Sequence, residues 1–132
     1  MASPEEVVRE FCEAVSKRDA ELLRPLLADD VVYHNIGMEP SKGVETVLAN
    51  IAGQWAMFAG VYEFQVRHIA ANGNVVLTER VDVVGAEGNA APVPVMGTFE
   101  LSNGKITHWR DYFDAGLVGK MMSGEDVSTL VS

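Results

Sequence analysis

The chain predicts an α+β domain in which helices cover one face of an antiparallel-rich sheet. Three observations carry this prediction. Up to Gly60 the apolar residues recur mostly at spacings of three and four, and beyond it they alternate every second residue, so helices come first and a β-meander follows. The meander is punctuated by Asn72-Gly73-Asn74 and Asn103-Gly104, residue types that accept the positive φ of tight hairpin turns. At 132 residues and 48% hydrophobic content, with no repeat, linker or low-complexity segment, residues 1–132 read as one domain with one core and a modest internal pocket.

The elements follow in order. Ser3, Pro4 and Glu6 form a capping-box pattern, and Val7, Val8, Phe11, Cys12 and Val15 then repeat with helical period, predicting a first helix to about Lys17. Asp19 caps a second, short helix through Leu22, Leu23, Leu26 and Leu27, restricted by Pro25, with Asp29 and Asp30 marking its exit. Val31 to Ile36 is β-branched and aromatic and reads as a first strand, ending in the turn-rich loop Gly37 to Gly43. Val44, Val47, Leu48, Ile51, Trp55 and Phe58 line one side of a third helix. Strands are then expected near Val61–Ala70, Val75–Val84, Val93–Leu101 and Lys105–Asp114, with Ala86 to Ala91 as a surface loop. A short helix around Leu117 to Met122 is expected at the rim of the pocket. A strongly curved sheet with helices across its concave side leaves such a pocket blind at one end.

Composition narrows the partners. A formal net charge of -9, with no Lys/Arg run, argues against nucleic acid, because affinity for it comes mainly from neutralised phosphates. The acidic start Met-Ala-Ser-Pro-Glu-Glu does not resemble a signal peptide, and no apolar run approaches membrane-spanning length, so a soluble, cytoplasmic protein is expected. The single cysteine, Cys12, sits in a helical pattern and reads as a small core residue. His34, His68 and His108 lack ligand spacing, so no metal site is expected.

Within the strands lies an unusual polar set: Tyr33 and Asn35, Arg80 and Asp82, and Asp111. Each pair is spaced i, i+2 and points to one face of its strand, while Asp111 falls between Trp109 and Phe113 on an apolar face. Buried charges must be paired or used, and an Arg between two Asp can satisfy both while holding them for acid/base work. Asp111 is the candidate base, Asp82 shares the fork of Arg80 donors, and the two carboxylates are expected to titrate as a coupled set with one protonated at neutral pH. Tyr33 and Asn35 can hold a water from the side. Glu79 and Arg110, on the opposite faces, read as exposed charges.

The segments Tyr33-His34-Asn35, Thr78-Glu79-Arg80-Val81-Asp82 and Trp109-Arg110-Asp111-Tyr112-Phe113-Asp114 resemble, in order and spacing, the limonene-1,2-epoxide hydrolase family, and the likeness covers nearly the whole chain. The resemblance implies the cone-shaped α+β fold with a mixed sheet shared with ketosteroid isomerase and nuclear-transport-factor-2-like proteins, and a cofactor-free homodimer. It also implies roles. Asp111 would activate a water positioned by Tyr33 and Asn35, Asp82 would protonate the epoxide oxygen, and Arg80 would bridge the two carboxylates, giving a vicinal diol in one step from a small cyclic or terpene-like epoxide such as limonene-1,2-epoxide. By strand and helix facing, Val15, Trp55, Phe64, Val84, Val93, Val95 and Phe113 are expected to wall the substrate pocket, with Cys12 and Val118 as additions. Two other readings stay open: an isomerase or cyclase on the same scaffold, and a non-catalytic module binding an apolar ligand.

Overall fold

The computed structural model describes residues 2–131. Helix α1 (Pro4–Ser16) starts at the expected capping box, in which the Ser3 hydroxyl accepts from the Glu6 amide and the Glu6 carboxylate accepts from the Ser3 amide. Its inward stripe of Val7, Val8, Phe11, Cys12 and Val15 is buried. Asp19 caps α2 (Ala20–Leu23), but Pro25 turns the chain into a 3₁₀ turn, Arg24–Leu26, and not a longer helix. Leu27 therefore opens β1 (Leu27–Asn35) instead of closing a helix, and Asp29 and Asp30 are exposed within that strand rather than marking the helix exit. An irregularity between Leu27 and Val32 obscures the alternation of this stretch.

The loop after β1 holds a further strand, β2 (Ser41–Lys42), whose two pairings with β1 leave no period to read. Helix α3 (Val44–Met57) is followed by β3 (Val61–Asn72), β4 (Val75–Ala86), β5 (Asn89–Ser102) and β6 (Lys105–Tyr112). The expected surface loop at 86–91 is instead a tight turn, with β4 running to Ala86 and β5 starting at Asn89; Gly88 carries the positive φ, +82°. Pro92 and Pro94 are tolerated there because they pair only with β4. Partners from β6 begin at Met96, so the missing N–H groups fall on an open edge of β5. At its other end β6 stops at Tyr112, because Asp114 leaves the strand to cap α4 (Ala115–Met122) through a 3.1 Å bond from the Leu117 amide.

The six strands form one strongly curved sheet in the order β2-β1-β6-β5-β4-β3. All neighbours are antiparallel except β1 and β6, which run parallel, so the sheet is mixed. Helix α1 packs on β3 and α3 on β1, covering the inner face. That face carries Val76, Phe99, Ile106 and Trp109, all with no exposed surface, and Phe11 meets both Phe99 and Trp109 edge-on. Among the described residues no helix is long and apolar enough to cross a membrane.

Candidate active site

Strand alternation on β4 sends Thr78, Arg80 and Asp82 inward, and all three are buried. On β6 the same alternation turns Trp109 and Asp111 inward. Strand β5 lies between them. Its residue opposite both Thr78 and Asp111 is Gly97, whose missing side chain leaves room for the Arg80 guanidinium to cross. A Cβ on Gly97 would lie 2.2 Å from Arg80 Nη1 and 2.7 Å from Asp111 Oδ1.

All five N–H donors of Arg80 are used. Nε donates to Asp82 Oδ1 at 3.0 Å and Nη2 to Asp82 Oδ2 at 2.8 Å. On the other side Nη1 reaches Asp111 Oδ1 at 3.0 Å and Nη2 reaches Asp111 Oδ2 at 2.9 Å. The remaining Nη1 proton goes to Thr78 Oγ1, which itself donates to the Gly97 carbonyl. Phe64 covers the guanidinium face at 4.4 Å. Asp111 Oδ1 also accepts from Trp109 Nε1 at 2.9 Å, so both its lone pairs are filled while Oδ2 keeps one free.

One buried cation between two buried carboxylates leaves an excess negative charge when both are ionised, and a single proton removes it. Burial, opposed by Arg80 and reinforced by the Asp111 charge, pushes the Asp82 carboxyl up from 3.8 to about 6. Below about pH 6 the site thus holds a proton on Asp82, across the guanidinium from an Asp111 oxygen, Oδ2, that keeps one lone pair free.

Strand β1 brings the rest. Its parallel register with β6 sets Tyr33 beside Trp109 and Asn35 beside Asp111, and the Tyr33 and Trp109 rings stack at 3.8 Å. Asn35 Nδ2 donates to Tyr33 Oη at 3.1 Å. Burial, ahead of the Asp111 charge, pushes the Tyr33 phenol up to about 12, against donation from Gln54 and Asn35. All five polar residues singled out in the sequence therefore converge on one cluster, four of them buried and Asn35 half-buried at its edge.

The expected pocket wall is divided. A cavity of about 450 Å³ lies between the end of α3, the distal parts of β4 and β5, and α4, with Phe58, Val84, Val93, Val118 and Met121 among its lining residues. It adjoins Asp82, since Val93 pairs with that residue across the sheet and Val84 follows it by two on the same strand face. The remaining five expected wall residues do not line it. Val15 and Trp55 are packed in the core, Phe64 is spent on Arg80, and Val95 is buried directly across the sheet from Arg80. Phe113 lies half-buried just past the end of β6, because the strand stops at Tyr112, two residues short of the expected Asp114. Trp55 Nε1 is a buried donor without a partner among the described residues. Cys12 is a core residue whose thiol burial pushes up to about 12.

Gln54, Tyr62, Thr78 and Gly97 were not singled out in the sequence. Thr78 shares the i, i+2 face of Arg80. Gly97 interrupts an otherwise side-chain-bearing strand face, and Gln54 stands three residues after Ile51 on the apolar side of α3, a polar residue where a core residue is expected.

Residues 2–123 match the family model described as the limonene-1,2-epoxide hydrolase catalytic domain. The chain is similar to the epoxide hydrolase EphG of Mycobacterium tuberculosis, with 34% identity over 110 residues, 81% of this chain and 70% of that protein. Among solved structures it is similar to an epoxide hydrolase of the same kind from M. tuberculosis, with a TM-score of 0.77 and 32% identity over 92% of this chain and 83% of the other. A protein of ketosteroid isomerase-like fold from Catenulispora acidiphila, solved with trimethylamine, superposes with a TM-score of 0.81 over 96% of this chain and 98% of the other; at 22% identity this likeness concerns the fold.

Proposed function

Since this chain belongs to the limonene-1,2-epoxide hydrolase family, we propose that it is an epoxide hydrolase, a single catalytic domain over 1–132 that converts small cyclic or terpene-like epoxides, limonene-1,2-epoxide among them, to vicinal diols. The observation that carries this reading is the buried Asp82–Arg80–Asp111 bridge, in which one guanidinium holds an acid and a base at fixed positions.

The step is a concerted opening. A water held by Tyr33 and Asn35 passes a proton to the free lone pair of Asp111 Oδ2 as its oxygen bonds to an epoxide carbon. The carbon–oxygen bond of the ring breaks, and the leaving oxygen takes the proton of Asp82 instead of departing as an alkoxide. No covalent enzyme intermediate forms, and the site resets when solvent removes the proton from Asp111 and returns one to Asp82. Each positioned acid or base contributes roughly 10²- to 10⁴-fold. Every proton and the nucleophile come from side chains and water, so the reaction needs no cofactor. The apolar cavity beside Asp82 suits a hydrocarbon-like epoxide.

The protein is read as cytoplasmic and without nucleic-acid partners, in keeping with its net charge of -9. It is also read as a homodimer formed through the outer face of the sheet, where Leu77, Met96 and Tyr112 are about half exposed, at 49%, 50% and 47%.

The test is single turnover of limonene-1,2-epoxide and cyclohexene oxide in ¹⁸O-water. Diol carrying label wholly from water in the first turnover is expected, and it should disappear in a folded Asp111→Asn variant. Unlabelled diol would indicate an enzyme ester and overturn the mechanism; a rearranged product would indicate an isomerase, and binding without turnover a carrier.

A further inference from the structure

The two lone pairs of Tyr33 Oη are both occupied by amide donors: Gln54 Nε2 at 3.1 Å and Asn35 Nδ2 at 3.1 Å. A phenol that accepts twice has only its proton left to offer. Whether Tyr33 is a donor or an acceptor toward the site therefore depends on which end of the Gln54 amide faces it, and that end is fixed from two directions. Gln54 Oε1 accepts from the Tyr62 hydroxyl. Tyr62 is buried, and burial pushes its phenol well above the ordinary value, so it stays neutral and keeps its proton to donate. Gln54 Nε2 also donates to Asn50 Oδ1 at 3.0 Å, and the Asn50 amide nitrogen is engaged with Ser41 Oγ at 2.9 Å. Turning the Gln54 amide over would set acceptor against acceptor at Asn50 Oδ1 and leave Tyr62 without an acceptor for its proton.

We propose that Gln54, anchored by Tyr62 and Asn50, is a positioning residue for the hydrolytic water: by donating to Tyr33 Oη it obliges the phenol to present its proton to the water that Asp111 deprotonates. This rests on the hydrolase reading and deepens it. The water then accepts one bond from Tyr33 and gives its two protons to Asp111 Oδ2 and Asn35 Oδ1. One oxygen lone pair remains, and the only direction left for it is the epoxide carbon. An acceptor at position 54 would instead draw the Tyr33 proton away and leave the phenol facing the water with its lone pairs, so that the water lost its donor and one constraint on its orientation. The stack of Tyr33 on Trp109, whose indole holds Asp111, keeps the phenol and the base in one rigid frame.

Gln54→Glu keeps the shape and removes the donor. It is expected to lower kcat for epoxide hydrolysis at least about tenfold with little change in KM, the pattern of an interaction made in the transition state. Tyr62→Phe, which frees the oxygen end of the amide, should lower kcat in the same direction by less. In a Tyr33→Phe background Gln54→Glu should cost nothing further, because the two act as one unit. An equal loss in both backgrounds, or a change in KM alone, would overturn the proposal. Neutron diffraction from deuterated wild-type crystals judges the polarity without turnover: Gln54 Nε2 should carry the deuteron that lies between it and Tyr33 Oη while the phenolic deuteron points away from both amide nitrogens, and a phenolic deuteron directed at Gln54 would sink the relay even in an active enzyme. Wild-type protein that forms no diol from the epoxide panel would end the hydrolase reading, and the water-positioning role with it, whatever the deuteron map shows.

Discussion

At the scale of single residues, the site depends on one proton and one missing methyl group. Asp82 has a folded-state pKa of about 6 against an ordinary 3.8, so the folded protein binds that proton more tightly than the unfolded chain. The stabilisation from this group is full below about pH 3.8 and is lost as pH rises to about 6. Asp82→Asn mimics the protonated form. Chemical denaturation should therefore show the variant gaining on wild type by about 2–3 kcal/mol between about pH 4 and pH 7.5. In the proposed mechanism the same proton is the acid, so diol formation by wild type should fall as pH rises through about 6, and a flat profile across that range would remove Asp82 from the role. Gly97 is the missing methyl. Its Cβ would meet Arg80 Nη1, Asp111 Oδ1 and Thr78 Oγ1 at 2.2, 2.7 and 3.0 Å, and the guanidinium cannot retreat without breaking bonds to both carboxylates. Gly97→Ala should lose at least about tenfold in kcat and about 1–3 kcal/mol of stability, measured by turnover and denaturation on the same preparation.

At the scale of elements, the helices hold the site's polar partners at the depth of the strands. Arg18, in the left-handed region at φ +58°, follows α1 and donates to the carbonyls of Trp55, Phe58 and Ala59, closing the C-terminal end of α3. That end carries Gln54 on one side and Phe58, part of the cavity wall, on the other. Ser16 makes a second tie, donating to the Cys12 carbonyl and accepting from the Phe64 amide, which joins α1 to the strand whose ring covers Arg80. Arg18→Ala should cost about 1–2 kcal/mol, read as a fall of several degrees in the thermal midpoint. KM for epoxide should rise with it, since α3 then ends less firmly at the cavity; an unchanged midpoint would show that the carbonyls are served as well by water.

At the scale of the whole molecule, the curved sheet separates two faces with different work. The inner face carries the charged bridge and the aromatic core, and the outer face leaves Leu77, Met96 and Tyr112 in solvent. Such a surface is suited to a second copy of the chain. Sedimentation of the wild type should give a dimer, and the pair Leu77→Lys and Met96→Lys should give a monomer that retains the inward Arg80 bridge. A wild-type monomer at micromolar concentration would remove the dimer reading while leaving the hydrolase reading in place.

The sequence by itself determined those features that depend on near neighbours. The capping box, the buried stripe of α1, the hairpin turns and the same-face placement of Arg80 with Asp82 follow from periods of 3.6 and 2 and from turn chemistry. Pairing between distant segments has no such period. Only the tertiary structure set β1 parallel to β6, so that Tyr33 and Asn35 came beside Trp109 and Asp111, laid Gly97 beneath the Arg80 fork, and turned Gln54 and Tyr62 toward the Tyr33 hydroxyl. It also took most of the expected pocket wall into the core, because an apolar residue on an inward face reads the same whether it meets a cavity or another side chain.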